Sequence, residues 1–388
     1  MSVRKVNADP KDDRYWVRVY NPTGKDYRKI VKGKRAADAH EAEIKARFTS
    51  NDFIDPHAGK VTFRQYARRV IDSRDLAPRT RVTYLRACDD LLFPKWGDRQ
   101  MRSLRHSDAV ELSAYCYRHA AKNTAYNALV LARSIMRAAT LDGVVARNPF
   151  AGERLGSRKY KPKGMPTWQM VADVVDGTTP TSGALITAFA GTGLRGAEVC
   201  GLAVPDINWL QKRLTVRRQL CFMTEEEAQK AGYRHGGFYL TDVKSEAGQD
   251  RVVPLPDWAV DALSRLARER PEPTPIPWGA PDAADTRTVD LLLPPTQPAN
   301  LSARVATVFL RASGERHAPH ALRHLYATTL EQGGVPLRTV QSILGHEPQG
   351  VTLSTYVHVT EDSLRQARDV ISVAWPSTDE PGAVQTGH

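Results

Sequence analysis

The sequence predicts a multidomain α+β protein: a small N-terminal sheet-plus-helix module, an all-α bundle, and a mixed, mainly α domain with a small antiparallel sheet. Three observations carry this. At 388 residues the chain exceeds what one ordinary core covers, so two or three domains are expected. Residues 56–150 keep apolar side chains at three- and four-residue spacing throughout, the period of a helix. The segments on either side mix that period with the two-residue alternation of strands.

Residues 14–20, RYWVRVY, alternate as a strand, NPTGKD supplies turn chemistry, and YRKIVKG reads as a second strand. KRAADAHEAEIKARF then lacks breakers and is rich in helix formers. This module, 1–55, is too small to bury a generous core. Residues 56–152 carry the helical stretches VTFRQYARRVIDSR, APRTRVTYLRACDDLLFPKWG, SDAVELSAYCYRHA and KNTAYNALVLARSIMRAATLDG, punctuated by Pro78, Pro94, Gly97, Gly143 and Pro149. Residues 153–166 have no periodicity and read as a linker. Residues 167–375 run from helix to strand signals (RLTVRRQL, FYLTDV, DRVVPLP) and back to helix, closing on TEDSLRQARDVISVA, 360–374. Within them the Pro-rich 271–300 are expected to form a long surface loop. Residues 376–388 are expected to be a disordered tail.

The net charge of +12 is unevenly spread. Residues 1–50 carry a net charge of roughly +6, residues 56–165 roughly +13, and residues 166–388 roughly −5. A basic front on a mildly acidic back suggests a polyanion grip joined to a second activity, and nucleic acid is the polyanion that suits it. Arg64, Arg68, Arg79, Arg81, Arg86, Lys122, Arg133 and Arg137 fall among the predicted helices of 56–152. Each alone suits a solvated face; together they suit DNA. No run of ~18 apolar residues predicts a membrane span, and the first residues lack the apolar core of a signal peptide. Cys88, Cys116, Cys200 and Cys221 lie far apart, which fits reduced thiols in a cytoplasm rather than a disulfide framework or zinc site.

Three segments concentrate cations and imidazoles. In AFAGTGLRGAEVC an apolar helix meets Gly191 and Gly193, and Arg195 follows in a glycine-flanked turn with Glu198 three residues on. That pair is either an ordinary helix ion pair or a ligand-holding arginine with its orienting carboxylate. In FYLTDVKSEAGQDRVVPLP two strand-like arms flank a hairpin with Lys244 at its edge, a position that a solvated lysine would also suit. In HAPHALRHLYATTLEQGGVPLRTVQSILGHEPQGVTLSTYVHV, His320 and Arg323 share a helix face, Gly333 and Gly334 end that helix, and His346 follows the Gly345 stop of the next. Tyr356 comes ten residues later. Two arginines, a lysine and two histidines are means of holding a phosphate and moving protons around it. No tight acidic cluster for Mg²⁺, no zinc spacing and no ATP-binding loop accompanies them, so no cofactor is expected. Metal-free phosphoryl transfer needs fixed cations and a nucleophile of its own. A tyrosine phenol, with a pKa near ~10 that guanidinium groups would lower, suits that role and stores the broken bond as a phosphotyrosine ester.

The motifs TGLRGAE, VKSEAGQDRVVPL, HALRH, LGH and TYVH, in this order, make the chain resemble the tyrosine recombinases of the phage integrase family. FIDPHAGKVTFRQYARRVIDSRDLAPRTRVTYL is similar to the core-binding start of integrases from actinobacterial phages and integrative elements, and the strand–strand–helix unit before it resembles their arm-binding domain. The resemblance implies an arm-type DNA-binding module (1–55), a core-binding domain (56–152) and a catalytic domain (167–375). It implies Tyr356 as nucleophile, Arg195 and Arg323 on the non-bridging oxygens, and Lys244 as proton donor to the departing 5′ hydroxyl, with Lys230 a distant second. It implies His320 as proton acceptor and donor, His346 completing the phosphate pocket, and Glu198 supporting Arg195; His358 is taken as structural. The implied partners are double-stranded DNA with core-type and arm-type sites, a homotetramer, and an excisionase and host DNA-bending protein. A transposon or chromosome-resolution recombinase, or a non-catalytic DNA-binding regulator on the same fold, is the alternative. The closing helix would pack in cis or on a neighbouring protomer; the sequence suits both.

Overall fold

The computed structural model describes residues 3–7, 9–20, 26–49, 58–156, 164–346 and 359–376. The chain divides into two compact units, Met1–Tyr160 and Lys161–His388.

The first unit opens with β1 (Val3–Lys5), β2 (Arg14–Tyr20) and β3 (Asp26–Lys32), an antiparallel sheet in that order. α1 (Lys34–Thr49) covers one face through Ala37 and Ile44, which meet Val17 and Val19. Strand alternation therefore sends Arg14, Trp16, Arg18 and Tyr20 to the other face. Helices follow: α2 (Phe63–Asp72), α3 (Pro78–Ala87), α4 (Phe93–Trp96), α5 (His106–His119) and α6 (Lys122–Leu141). α2 begins in a reciprocal cap between Thr62 and Gln65. α3 runs into α4 through one wide turn, Cys88–Leu92, in which the Phe93 N–H bonds the Cys88 carbonyl. Pro94 explains the widening: it has no N–H to give and its ring would press on the preceding turn. Phe63, Phe93, Trp96 and Phe150 meet edge-on or tilted at the centre of the bundle.

The second unit runs α7 (Trp168–Asp176), α8 (Pro180–Thr192), α9 (Gly196–Cys200), β4 (Ile207–Asn208), β5 (Arg213–Val216), β6 (Gln219–Met223), α10 (Glu225–Ala231), β7 (Gly237–Thr241) and β8 (Arg251–Pro254). It continues with α11 (Asp257–Arg268), β9 (Thr274–Pro277), β10 (Thr286–Val289), α12 (Pro298–Ser313), α13 (Pro319–Gln332), α14 (Leu337–Leu344) and α15 (Glu361–Ala374). α8, apolar all round, is buried along most of its length, as such a helix must be.

Three findings correct or sharpen the sequence reading. The arms around Lys244 do not pair with each other: β7 pairs with β6, and β8 pairs with β5 in the sheet β4-β5-β8. β5 and β6 are separated only by Arg217 and Arg218, and the Arg218 guanidinium grips buried Asp206 with two bonds of 2.7 and 2.9 Å at that break. Residues 271–300 are no simple surface loop: β9 and β10 form a hairpin, Leu291 and Leu292 are buried, and α12 starts at Pro298. Pro275 and Pro277 hide the strand signal, yet a two-stranded ribbon has edges that tolerate them. α15 packs on its own unit. Ala367 and Ile371 enter the core, Arg213 pairs with Glu361, and Gln366 donates to the Gly334 carbonyl. The expected tail beyond Pro376 lies outside the described residues, as do residues 157–163 of the linker.

Candidate active site

α8 ends at Gly193, in the left-handed region at φ 62°. A Cβ there would stand 2.7 Å from the Tyr326 ring, so only glycine fits. The chain then turns and places Arg195 at the N-cap of α9. The Glu198 carboxylate accepts from the Arg195 backbone N–H and from its Nη1, both at 2.8 Å, so one side chain caps the helix and orients the arginine. The same carboxylate accepts a 2.6 Å bond from Nη2 of Arg251, and this pair is almost wholly buried. Burial alone would raise the Glu198 carboxyl; the Arg251 charge and bond, with the two bonds from Arg195, outweigh it and hold the group below its ordinary value.

The C-terminal end of α14 gathers the arginines. Three successive carbonyls there each receive a different guanidinium: Ile343 from Arg251 Nε at 2.9 Å, Leu344 from Arg323 Nη2 at 2.5 Å, and Gly345 from Arg195 Nη2 at 3.2 Å. These are groups that a helix end leaves without partners, at the negative pole of its dipole. Gly345 sits at φ 64°, and a Cβ on it would meet the Gly248 Cα at 2.9 Å and the Arg251 Cδ at 3.1 Å. The close approach of the arginine thus requires that glycine. Arg323 also donates to the Gly193 carbonyl at 2.8 Å, and its Nη2 lies 3.0 Å from His346 Nε2. Burial, then the Arg195 charge, lower the Arg323 guanidinium to about 10, so it stays charged at neutral pH. Burial and the facing charges of Arg323, Arg195 and Arg251 lower the His346 imidazole, which therefore accepts from Arg323 in its neutral form. Three guanidiniums against one carboxylate leave a positive site that an anion would neutralise.

His320 is exposed on α13, one turn before Arg323, with its Nε2 3.1 Å from His324 Nε2 and the rings edge-to-face at 4.4 Å. Lys244 is exposed between β7 and β8, with no side-chain partner among the described residues. Its neighbours are fixed: Gln249 accepts from the Val243 N–H, and Ser245 Oγ donates to the Gly345 carbonyl at 3.2 Å. Lys230 is tied to Glu226 on α10. Tyr356 and His358 lie outside the described residues. The structure thus joins Arg195, Glu198, Arg323 and His346 in one bonded network, with His320 on the Arg323 helix. It adds Arg251, Ser245 and His324, which the sequence reading passed over. The available signal was an arginine opening the apolar strand RVVP, where a buried charge needs a partner.

The expected DNA-contacting cations differ in setting. Arg64 pairs with Asp98 and lies over the Phe93 ring, Arg68 faces Asp89 at 3.8 Å, and Arg81 bonds Asp72 at 2.6 Å. Arg133 is half-buried and donates to the Glu153 carbonyl at the start of the predicted linker. Arg79, Arg86, Lys122 and Arg137 are exposed. On the N-terminal sheet, cross-strand register puts Arg4, Trp16 and Ile30 in one row and Arg18 beside Arg28 on the face away from α1. Trp16, Tyr20 and Ile30 remain 40%, 57% and 41% exposed there, and the Arg18 guanidinium covers the Tyr20 ring.

Residues 178–363 match the model of the phage integrase family. Over 183 residues the chain is 27% identical to tyrosine recombinase XerA of Pyrococcus furiosus, a match covering 47% of this chain and 52% of the relative. It spans about half the length of the first curated relatives it matches. In fold it is similar to the Tn1549 transposon integrase in complex with transposon right end DNA, with a TM-score of 0.61 at 22% identity over 79% of this chain and 98% of the other. A lambda integrase tetramer bound to a Holliday junction gives 0.52 at 15% identity over 91% and 99%. The family match falls on the unit that holds the arginine network, and the motifs that form it are the ones the sequence presents in order. Residues 178–363, within the second unit, are thus a domain of the phage integrase family, similar to those of the tyrosine recombinases.

Proposed function

We propose that the protein is a site-specific DNA recombinase, an integrase that cleaves and rejoins DNA through a 3′-phosphotyrosine intermediate. The observation that carries this is the triple arginine cap on α14, with His346 bonded into it and His320 one turn from Arg323. A scissile phosphate held by Arg195 and Arg323 is attacked by the Tyr356 oxygen. The P–O5′ bond breaks, His320 takes the phenol proton, and Lys244 supplies one to the 5′ oxygen. In the reverse step a 5′ hydroxyl of the partner duplex attacks the ester and gives its proton to Lys244, the P–O bond to Tyr356 breaks, and the phenol leaves with a proton returned from His320. The ester keeps the energy of the broken bond, so rejoining needs no nucleotide cofactor. Similarity in fold to the junction-bound lambda tetramer supports a homotetramer exchanging strands through a Holliday junction. An excisionase and a host DNA-bending protein are proposed as accessory partners on the family resemblance alone.

A DNA duplex from the region flanking its gene, nicked beside the scissile phosphate so that the 5′ fragment escapes, is expected to trap a covalent protein–DNA adduct on a denaturing gel. Absence of any adduct across that region would leave a DNA-binding regulator as the better reading.

The basic, aromatic sheet face suits arm-type DNA, and residues 1–50 are expected to be dispensable for cleavage of core DNA but required for arm binding. Within that face, Arg18→Ala with Arg28→Ala should reduce the salt slope of arm binding by about 2, one for each phosphate no longer neutralised. An unchanged slope in fluorescence anisotropy would assign the face to something other than DNA.

A further inference from the structure

Arg251 lies in the segment VKSEAGQDRVVPL, whose resemblance assigns a role to Lys244 alone, yet it bonds Glu198, the end of α14 and the Lys244 turn. Its side chain is 1% exposed, so it touches no substrate. Nη2 holds Glu198, Nε holds the Ile343 carbonyl at the end of α14, and Nη1 holds the Gly248 carbonyl at 3.1 Å. Gly248 closes the turn that begins at Ser245, its N–H bonding the Ser245 carbonyl at 2.9 Å, and Ser245 Oγ returns to the Gly345 carbonyl. Lys244 sits at the free edge of this turn.

We infer that Arg251 is a positioning residue for proton delivery: it straps the Lys244 turn to the α14 terminus and to Glu198, so that the ammonium arrives at the departing 5′ oxygen of a phosphate held by Arg195. The inference rests on the recombinase reading and on Lys244 as its proton donor. A planar guanidinium bridges three acceptors that point in different directions, which an ammonium on a flexible stem does not. Its loss frees the turn while the lysine itself remains.

The test is single-turnover cleavage of two substrates, one with the ordinary P–O5′ bond and one with sulfur replacing that bridging oxygen. A thiolate, whose acid has a pKa near ~8.5, leaves without a proton donor; an alkoxide does not. Arg251→Met and Arg251→Lys are expected to slow the ordinary substrate by roughly 10²-fold, within the range of general-acid catalysis, and to cleave the sulfur substrate within about threefold of wild type. Lys244→Ala should show the same pattern, and Arg195→Lys, which loosens the phosphate itself, should be slow on both. Thermal melts identify a variant that fails to fold, and Arg251→Lys, which keeps a cation beside Glu198, preserves the test if Arg251→Met does. If the folded Arg251 variants are equally slow on both substrates, or slow on neither, the inference is overturned. A Lys244→Ala variant that sulfur does not rescue overturns Lys244 as the donor, and wild type inert on both substrates overturns the recombinase reading.

Discussion

Tyr356→Phe is expected to abolish strand cleavage, by roughly 10⁴-fold or more, while DNA affinity stays within about twofold of wild type. Phenylalanine keeps the ring and deletes one oxygen, the atom that would form the bond to phosphorus. Binding draws on many cations, most of them in the front of the chain, so one hydroxyl contributes little to it. No described tyrosine beside the pocket can stand in. Tyr326, one turn beyond Arg323, is fully buried beneath Gly193, and burial pushes its phenol above its ordinary value. An electrophoretic shift with intact duplex and a denaturing gel with the nicked duplex separate the two effects. Undiminished adduct in the Phe variant would place the nucleophile elsewhere in the chain.

The elements were legible where one physical signal dominates. RYWVRVY alternates because one face meets α1 and the other meets water, and β2 spans those seven residues. The glycine stop before His346 was readable because a helix that ends at φ 64° asks for glycine. What stayed hidden depends on partners that are distant in sequence. The arms of the lysine segment read as one hairpin, since strand periodicity says that a segment pairs and not with what. β9 was masked by its own prolines. The amphipathic pattern of α15 recorded a buried face but not its owner. Arg251 stood in plain view among 55 lysines and arginines; only the folded chain shows that its guanidinium meets Glu198 and two carbonyls. The role proposed for Tyr356 rests on the resemblance carried by the ordered motifs, because nothing within LSTYVHV distinguishes a nucleophile from a packing residue.

Arg323→Lys keeps a cation in the pocket and should still cost roughly 10²–10³-fold in single-turnover cleavage, the scale of losing a fixed donor to a developing oxyanion. The guanidinium spans the Gly193 carbonyl on one side and the Leu344 carbonyl and His346 on the other, with the residue only 4% exposed. A lysine reaches one side and leaves a carbonyl unpaired in a buried site, which should lower unfolding free energy by about 1–3 kcal/mol in a denaturant melt. Arg195→Lys should unfold nearer to wild type, because that side chain is 32% exposed and its bond to the helix end is 3.2 Å. The Arg323→Lys variant also acquires at this position a titration near neutral pH that the native arginine lacks. Burial and the Arg195 charge lower Arg323 to about 10, which leaves the native residue protonated at neutral pH. A lysine begins near ~10.4, and the same two causes would carry it toward neutrality. In the proposed mechanism its charged form is the one that holds a phosphate, so activity of the variant relative to wild type should fall as pH rises from 7 to 9. A Lys variant that cleaves within about threefold of wild type at pH 7 and tracks it to pH 9 would mean that a point charge suffices there and that the bridging geometry does not govern the rate.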